Sequence, residues 1–215
     1  MNSPRPPDSE WPQHDLVRWE IGLTAPATRA FPLTDRLTIG GSDVILMAGP
    51  CSVESEDQIM SAARAVKAAG AAVLRGGAFK PRTSPNTFQG LGAEGLKLLR
   101  QAGDAVGLPV VTEVMAHTDV DLVAQHAHIL QIGSRSMQNY PLLRAVGETK
   151  LPVILKRGFA ATVEEWIGSA DHIRSRGNIR VILCERGIRA VETATRFTLD
   201  INAVPLMHRL CDLPI

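Results

Sequence analysis

Cysteine is scarce in this sequence: only Cys51, Cys184 and Cys211 occur among 215 residues, at spacings that make no pair. That excludes a disulfide framework and a zinc knuckle, and it points to a reducing, cytoplasmic setting. Aromatic residues make up only 4% of the chain, too few for stacking platforms along nucleic acid or sugar polymers. Charge of one sign is also missing. Twenty-three basic residues face 22 acidic ones, for a formal net charge of +1, so neither nucleic acid nor an anionic membrane is expected as main partner. No apolar run approaches the roughly 18–20 residues of a membrane helix. The polar, proline-rich N-terminus lacks the apolar core of a signal peptide. No G-x-G-x-x-G follows the first apolar strand, and no G-x-x-x-x-G-K-[ST] occurs anywhere.

What is present divides into two parts. Residues 1–35 hold Pro4, Pro6, Pro7, Pro12, Pro26 and Pro32 and few periodic apolar positions. Proline fixes φ and removes a backbone donor, so an irregular arm is expected there, too short for a folded regulatory domain of its own. Residues 36–215 alternate apolar runs with helical stretches. A short strand is expected at 37–39. Further strands are expected at 44–48, 72–75, 110–114, 129–132, 153–156 and 181–184. Helices are expected at 55–69, 92–106, 118–125, 140–146, 163–175 and near 201–210, and residues 213–215 read as the start of another strand. Short connections between apolar strands predict parallel βα units. The expected fold is α/β, a TIM (β/α)8-type barrel, incomplete here at six barrel strands plus the start of a seventh.

In such barrels the active site lies at the C-terminal ends of the strands. The first of the six delivers Cys51 and the second Arg75, then Lys80, Arg82, Thr83 and Ser84. The third ends in Thr112 and Glu113, the fourth in Ser134 and Arg135, the fifth in Lys156 and Arg157, and the sixth in Glu185 and Arg186. A single arginine after a strand is usually just solvated. Several cations expected at one mouth repel each other unless an anion compensates them. Guanidinium forks and ammonium groups suit phosphate and carboxylate, so a small phosphorylated ligand is implied. Cys51 on its own reads as a metal ligand, a nucleophile or a small buried hydrophobe. Cys184 and Cys211 read as buried hydrophobes. His117, His126, His128 and His172 have no ligand spacing.

Five segments then occur in order: Ala48-Gly-Pro-Cys-Ser-Val-Glu-Ser55, Leu74-Arg-Gly-Gly-Ala-Phe-Lys-Pro-Arg-Thr-Ser84, Gln131-Ile-Gly-Ser-Arg135, Leu155-Lys-Arg-Gly158 and Leu183-Cys-Glu-Arg-Gly-Ile-Arg189. Over residues 37–215 this set resembles 3-deoxy-D-arabino-heptulosonate 7-phosphate (DAHP) synthase, of the branch related to 3-deoxy-D-manno-octulosonate 8-phosphate synthase. The Lys80-Pro-Arg-Thr-Ser84 stretch favours the former. The resemblance implies condensation of phosphoenolpyruvate with erythrose 4-phosphate, the opening step of the shikimate route to aromatic amino acids. It implies that Arg75, Lys80 and Lys156 hold the phosphoenolpyruvate carboxylate and reacting centre. Arg135 and Arg186 would hold its phosphate, with Glu113 nearby through water. Lys80, Pro81, Arg82 and Thr83 would form the erythrose 4-phosphate side. Lys80, Glu113 and Lys156 are the implied catalytic groups.

Cys51 is implied as one ligand of a divalent metal, manganese or similar, that polarises the aldehyde. The family's other ligands, a His, a Glu and an Asp, fall outside residues 1–215, so the metal site is expected to be incomplete and the chain weakly active or inactive. A homo-oligomer is expected. The alternatives are the octulosonate synthase, with arabinose 5-phosphate as acceptor, and a non-catalytic phosphate-binding fragment.

Overall fold

The computed structural model describes residues 25–82 and 84–215. The expectations for residues 1–24 and for Thr83 lie outside the described residues. Residues 31–34, inside the stretch expected to be irregular, instead form a strand. This strand, β1 (Phe31–Thr34), pairs antiparallel with β2 (Leu37–Ile39), in the register Phe31 to Ile39. Proline costs little at the edge of a two-stranded ribbon, which is where Pro32 sits.

Six parallel strands follow: β3 (Met47–Ala48), β4 (Val73–Arg75), β5 (Val110–Glu113), β6 (Ile129–Ile132), β7 (Val153–Lys156) and β8 (Val181–Cys184). They pair strictly in sequence order. A doubly wound sheet reverses its strand order part-way, so this unbroken order is that of a barrel wall. The first strand is shorter than the apolar run 44–48 suggests. Val44 is 98% exposed and Leu46 is half exposed, because this edge has no strand on its outer side among the described residues. At the other edge, Leu183 N–H donates to the Pro214 carbonyl at 2.8 Å. Residues 213–215 thus run beside β8 without being assigned as a strand.

The helices cover the outer face: α1 (Glu56–Ala68), α2 (Ala93–Val106), α3 (Val120–Ala124), α4 (Tyr140–Glu148), α5 (Val163–Arg174) and α6 (Ala203–Leu210). Local chemistry explains their ends. Ser55 caps α1 by accepting from Gln58 N–H, and Thr162 with Glu165 forms a capping box on α5. The helix expected at 118–125 begins as a 3-10 turn, His117–Asp119, before α3. Trp166 is fully buried, and its Nε1–H donates to the Leu155 carbonyl at 3.1 Å, which pins α5 to β7.

Alternation along the strands sorts the side chains. Val153 and Leu155, like Val181 and Leu183, point outward into a core shared with Leu142, Leu143, Val146, Trp166 and Ile173. Val73, Val111, Ile129, Ile154 and Ile182 point to the inner face and pack around Phe31 and Ile39 of the hairpin. The hairpin therefore plugs the N-terminal end of the inner face. Two residues further along each strand, the same face carries Arg75, Glu113, Gln131, Lys156 and Cys184. One periodicity thus gives an apolar base and a polar mouth.

Candidate functional site

A cavity of about 480 Å³ opens at that mouth. Cys51, Lys80, Pro81, Arg82, Glu113, Arg135, Lys156 and Arg186 all line it. Eight of the ten residues singled out from the sequence are therefore brought together. Arg75 does not line the cavity. It lies beneath, and its Nη1 donates to the Pro50 carbonyl at 2.9 Å, bracing the turn before Cys51. That turn requires glycine at 49, where φ is +151° and a Cβ would sit 1.9 Å from the Arg75 carbonyl oxygen.

Lys80 is only 7% exposed. Its Nζ donates to the Cys51 carbonyl at 2.7 Å and lies 2.9 Å from Cys51 Sγ. The hydrogen bond from Lys80 holds the Cys51 thiol below its ordinary pKa against the opposing effect of burial, and the charges of Lys80 and Arg75 assist. Burial pushes the Glu113 carboxyl above its usual range, although Lys156, Lys80, Arg75 and Arg135 pull the other way. Gln131 Nε2 donates to Glu113 Oε2 at 3.2 Å. Burial also lowers the Lys156 ammonium, with Arg75 and Arg186 adding repulsion and Cys184 and Glu113 opposing. A carboxyl and an ammonium are thus each biased toward the neutral form beside the same cavity.

Two of the cavity's guanidinium groups sit on aromatic rings. Phe159 and Phe197 stack with centroids 4.9 Å apart. The Arg186 guanidinium lies 4.0 Å from the Phe197 centroid and 4.8 Å from that of Phe159, and Arg135 lies 5.6 Å from Phe159. A guanidinium held by its face keeps its N–H edge free for the oxygens of an anion. Arg186 Nη1 is buried and has no hydrogen-bond partner among the described residues. Burial and the like charges of Arg196 and Arg135 lower the Arg186 pKa, so an anion there relieves repulsion.

Ser134, expected at the end of the fourth strand, also lines the cavity, as do Phe159 and Arg196, whose part in it sequence reasoning missed. Phe159 directly follows the Lys-Arg-Gly segment, a weak signal. Arg196 and Phe197 lie in an aperiodic stretch that gives none. A second cavity of about 410 Å³ lies behind Arg135 and Phe159, with Arg189 and Glu165 on its far side.

A second strand-end cation lies off the cavity. Arg157 is buried behind it, and its Nη1 donates to Glu185 and to Asp200, each at 2.8 Å. It follows Lys156, and alternation sends it to the opposite side from Lys156. The described residues also do not fit a divalent metal. They hold no group of three or more His, Cys, Asp and Glu side chains able to bind one, and the single thiol of Cys51 is occupied by Lys80.

The family model described as "DAHP synthetase I family" matches residues 24–215. The chain belongs to the DAHP synthetase I family. It is 51% identical over 177 residues to the phospho-2-dehydro-3-deoxyheptonate aldolase of Thermotoga maritima, covering 82% of this chain and 52% of that protein. The crystal structure of the Thermotoga maritima DAHP synthase superposes with a TM-score of 0.84 at 49% identity, over 88% of this chain and 55% of that one. A truncated form of the Thermotoga enzyme gives 0.80 at 46% identity, over 88% and 69%. A 2-dehydro-3-deoxyphosphooctonate aldolase of Koribacter versatilis is 32% identical over 178 residues, covering 80% of this chain and 63% of that protein. The chain spans about half the length of the Thermotoga heptonate aldolase. Membership of the DAHP synthetase I family agrees with the sequential parallel sheet and with the ordered segments at its strand ends. Among the described residues no helix is long and apolar enough to cross a membrane.

Proposed function

We propose that this protein acts in the condensation of phosphoenolpyruvate with erythrose 4-phosphate to DAHP and inorganic phosphate, the first step of the shikimate route. The observation that carries the reading is the Arg135 and Arg186 pair on the Phe159 ring, facing the same cavity as Lys80, Glu113 and Lys156. In this reading Arg135 and Arg186 grip the phosphoenolpyruvate phosphate through charge-assisted hydrogen bonds. Lys80 and Lys156 hold the carboxylate and reacting centre, with Arg75 supporting from beneath. Pro81 and Arg82, with Thr83, form the erythrose 4-phosphate side.

Carbon three of phosphoenolpyruvate bonds to the aldehyde carbon, water adds at carbon two, and the carbon–phosphate ester oxygen bond breaks to release phosphate. The site must place two phosphorylated molecules side by side, and clustered cations offset their mutual repulsion. Glu113 and Lys156, both biased toward neutrality, are suited to pass the protons that the aldehyde oxygen gains and the water loses. The divalent metal implied by the resemblance finds one ligand here, Cys51, and no step is routed through it. Turnover by this chain alone is accordingly expected to be weak. A cytoplasmic setting, in keeping with three free cysteines, and a homo-oligomer belong to the same proposal.

Acceptor choice tests the reading. With phosphoenolpyruvate saturating, calorimetry is expected to show erythrose 4-phosphate binding more tightly than arabinose 5-phosphate, and any phosphate release to depend on erythrose 4-phosphate. Preference for arabinose 5-phosphate would overturn it in favour of the octulosonate reaction.

A further inference from the structure

Beside the cavity lies an ion network that does not line it yet grips the chain that does. Arg157 Nη1 donates to Glu185 Oε2 and to Asp200 Oδ2, each at 2.8 Å, and its Nε donates to the Ala161 carbonyl at 3.0 Å. The other oxygen of Glu185, Oε1, accepts the main-chain N–H of Arg186 at 3.0 Å and of Gly187 at 2.7 Å. The Glu185 side chain is 3% exposed. One carboxylate therefore joins the end of β7 to the main chain that carries Arg186. Asp200 extends the hold to the segment just after Phe197, whose ring lies on the Arg186 guanidinium. Main-chain bonds between Ile188 and Thr198, at 2.9 and 3.0 Å, close the loop between these two anchors.

Stability alone does not account for such a network. Burial of the Arg157 charge carries a desolvation cost, and the bonds and charges of Glu185 and Asp200 offset it. Buried ion pairs often contribute little net stability compared with apolar packing, whereas they fix geometry. What this one fixes is the main chain of Arg186, the residue with a buried guanidinium nitrogen lacking a partner. We infer that Glu185 is a positioning residue that sets Arg186 at the phosphate-binding end of the cavity, with Arg157 and Asp200 locking it in place. The inference rests on the proposed phosphoenolpyruvate reading. It assigns a role to residues that do not line the cavity.

The test compares Glu185→Ala, Glu185→Gln and Asp200→Asn with the wild-type chain, using calorimetric titration of phosphoenolpyruvate, inorganic phosphate and erythrose 4-phosphate at a temperature where circular dichroism shows each folded. Losing a buried acceptor for two N–H groups is expected to weaken phosphoenolpyruvate and phosphate about tenfold in Glu185→Ala. Glu185→Gln keeps an oxygen for those N–H groups, so its loss is smaller, about threefold, and Asp200→Asn falls in the same range. Erythrose 4-phosphate affinity stays within about twofold, because its side of the cavity is built on Lys80, Pro81 and Arg82. A merely structural role would lower Tm and leave this split absent.

Equal affinities for phosphoenolpyruvate and phosphate in wild type and variants, or equal weakening of all three ligands, would overturn the inference. If Glu185→Ala does not fold, Glu185→Gln and Asp200→Asn carry the same comparison. Wild-type binding of phosphate without phosphoenolpyruvate would sink the substrate reading and leave the Glu185 comparison standing on phosphate. Binding of neither would sink both.

Discussion

Replacing Gly133 by alanine probes how tightly the half-buried carboxylate of the mouth is placed. Gly133 has φ −72° and ψ 158°, a backbone that alanine adopts freely, so the main chain itself presents no obstacle. The obstacle is Glu113. A Cβ on Gly133 would lie 2.0 Å from Glu113 Oε1 and 2.9 Å from its Cδ. Contacts that short do not occur, so the carboxylate must abandon its bond with Gln131 and crowd its neighbours. Overpacking of this kind costs about 1–3 kcal/mol. The cost belongs to the pair, so it should vanish when Glu113 is truncated. Urea denaturation of wild type, Gly133→Ala, Glu113→Ala and the double variant closes the cycle. Gly133→Ala is expected to destabilise the wild-type background by about 1–3 kcal/mol and the Glu113→Ala background by less than about 0.5 kcal/mol. An equal cost in both backgrounds would refute the reasoning, because the clash would then lie elsewhere.

Two further outcomes follow from the electrostatics of the mouth. Burial raises the Glu113 pKa, so the folded protein holds that proton more tightly than the unfolded chain. The stability this group contributes is present below the unfolded carboxyl value, about 4.3, and is lost as pH rises through the folded one. The Tm of Glu113→Gln should therefore gain on wild type between pH 4 and pH 8, and a difference that stays flat or shrinks would contradict the assignment. Cys51 should be the first cysteine alkylated by iodoacetamide at pH 7 in a chelator, and Lys80→Met should slow it. Burial raises the thiols of Cys184 and Cys211, so either of them reacting faster than Cys51, by mass spectrometry of the adducts, would count against the Lys80 pairing.

Much of the wall was readable from the sequence because its strands are short, unbroken apolar runs bounded by turns. Ile129–Ile132, Val153–Lys156 and Val181–Cys184 appear at the expected bounds. The edge was less readable. Residues 44–46 are apolar enough for a strand, yet pairing decides the matter, and β3 has a neighbour on one side only. The hairpin plug was obscured by proline, a local signal outweighed by the burial of Phe31 against the inner face. At the cavity, the strand-end residues converge because they sit at fixed offsets from apolar runs. Arg157 was misplaced by counting charges without counting faces, since it follows the inward-facing Lys156 by one residue. Phe159, Arg196 and Phe197 were missed because loop residues reach the mouth through tertiary packing, and no period in the sequence records that.

In the proposed reaction the cations at the strand ends hold the phosphate of phosphoenolpyruvate. Calorimetric titration of phosphoenolpyruvate into the wild-type chain and into Arg186→Met tests it most directly. Saturable binding by the wild type is expected, weakened about tenfold or more in Arg186→Met, as for loss of a charge-assisted hydrogen bond of about 1.5–3 kcal/mol. No binding by the wild type, or the same affinity in both, would contradict it.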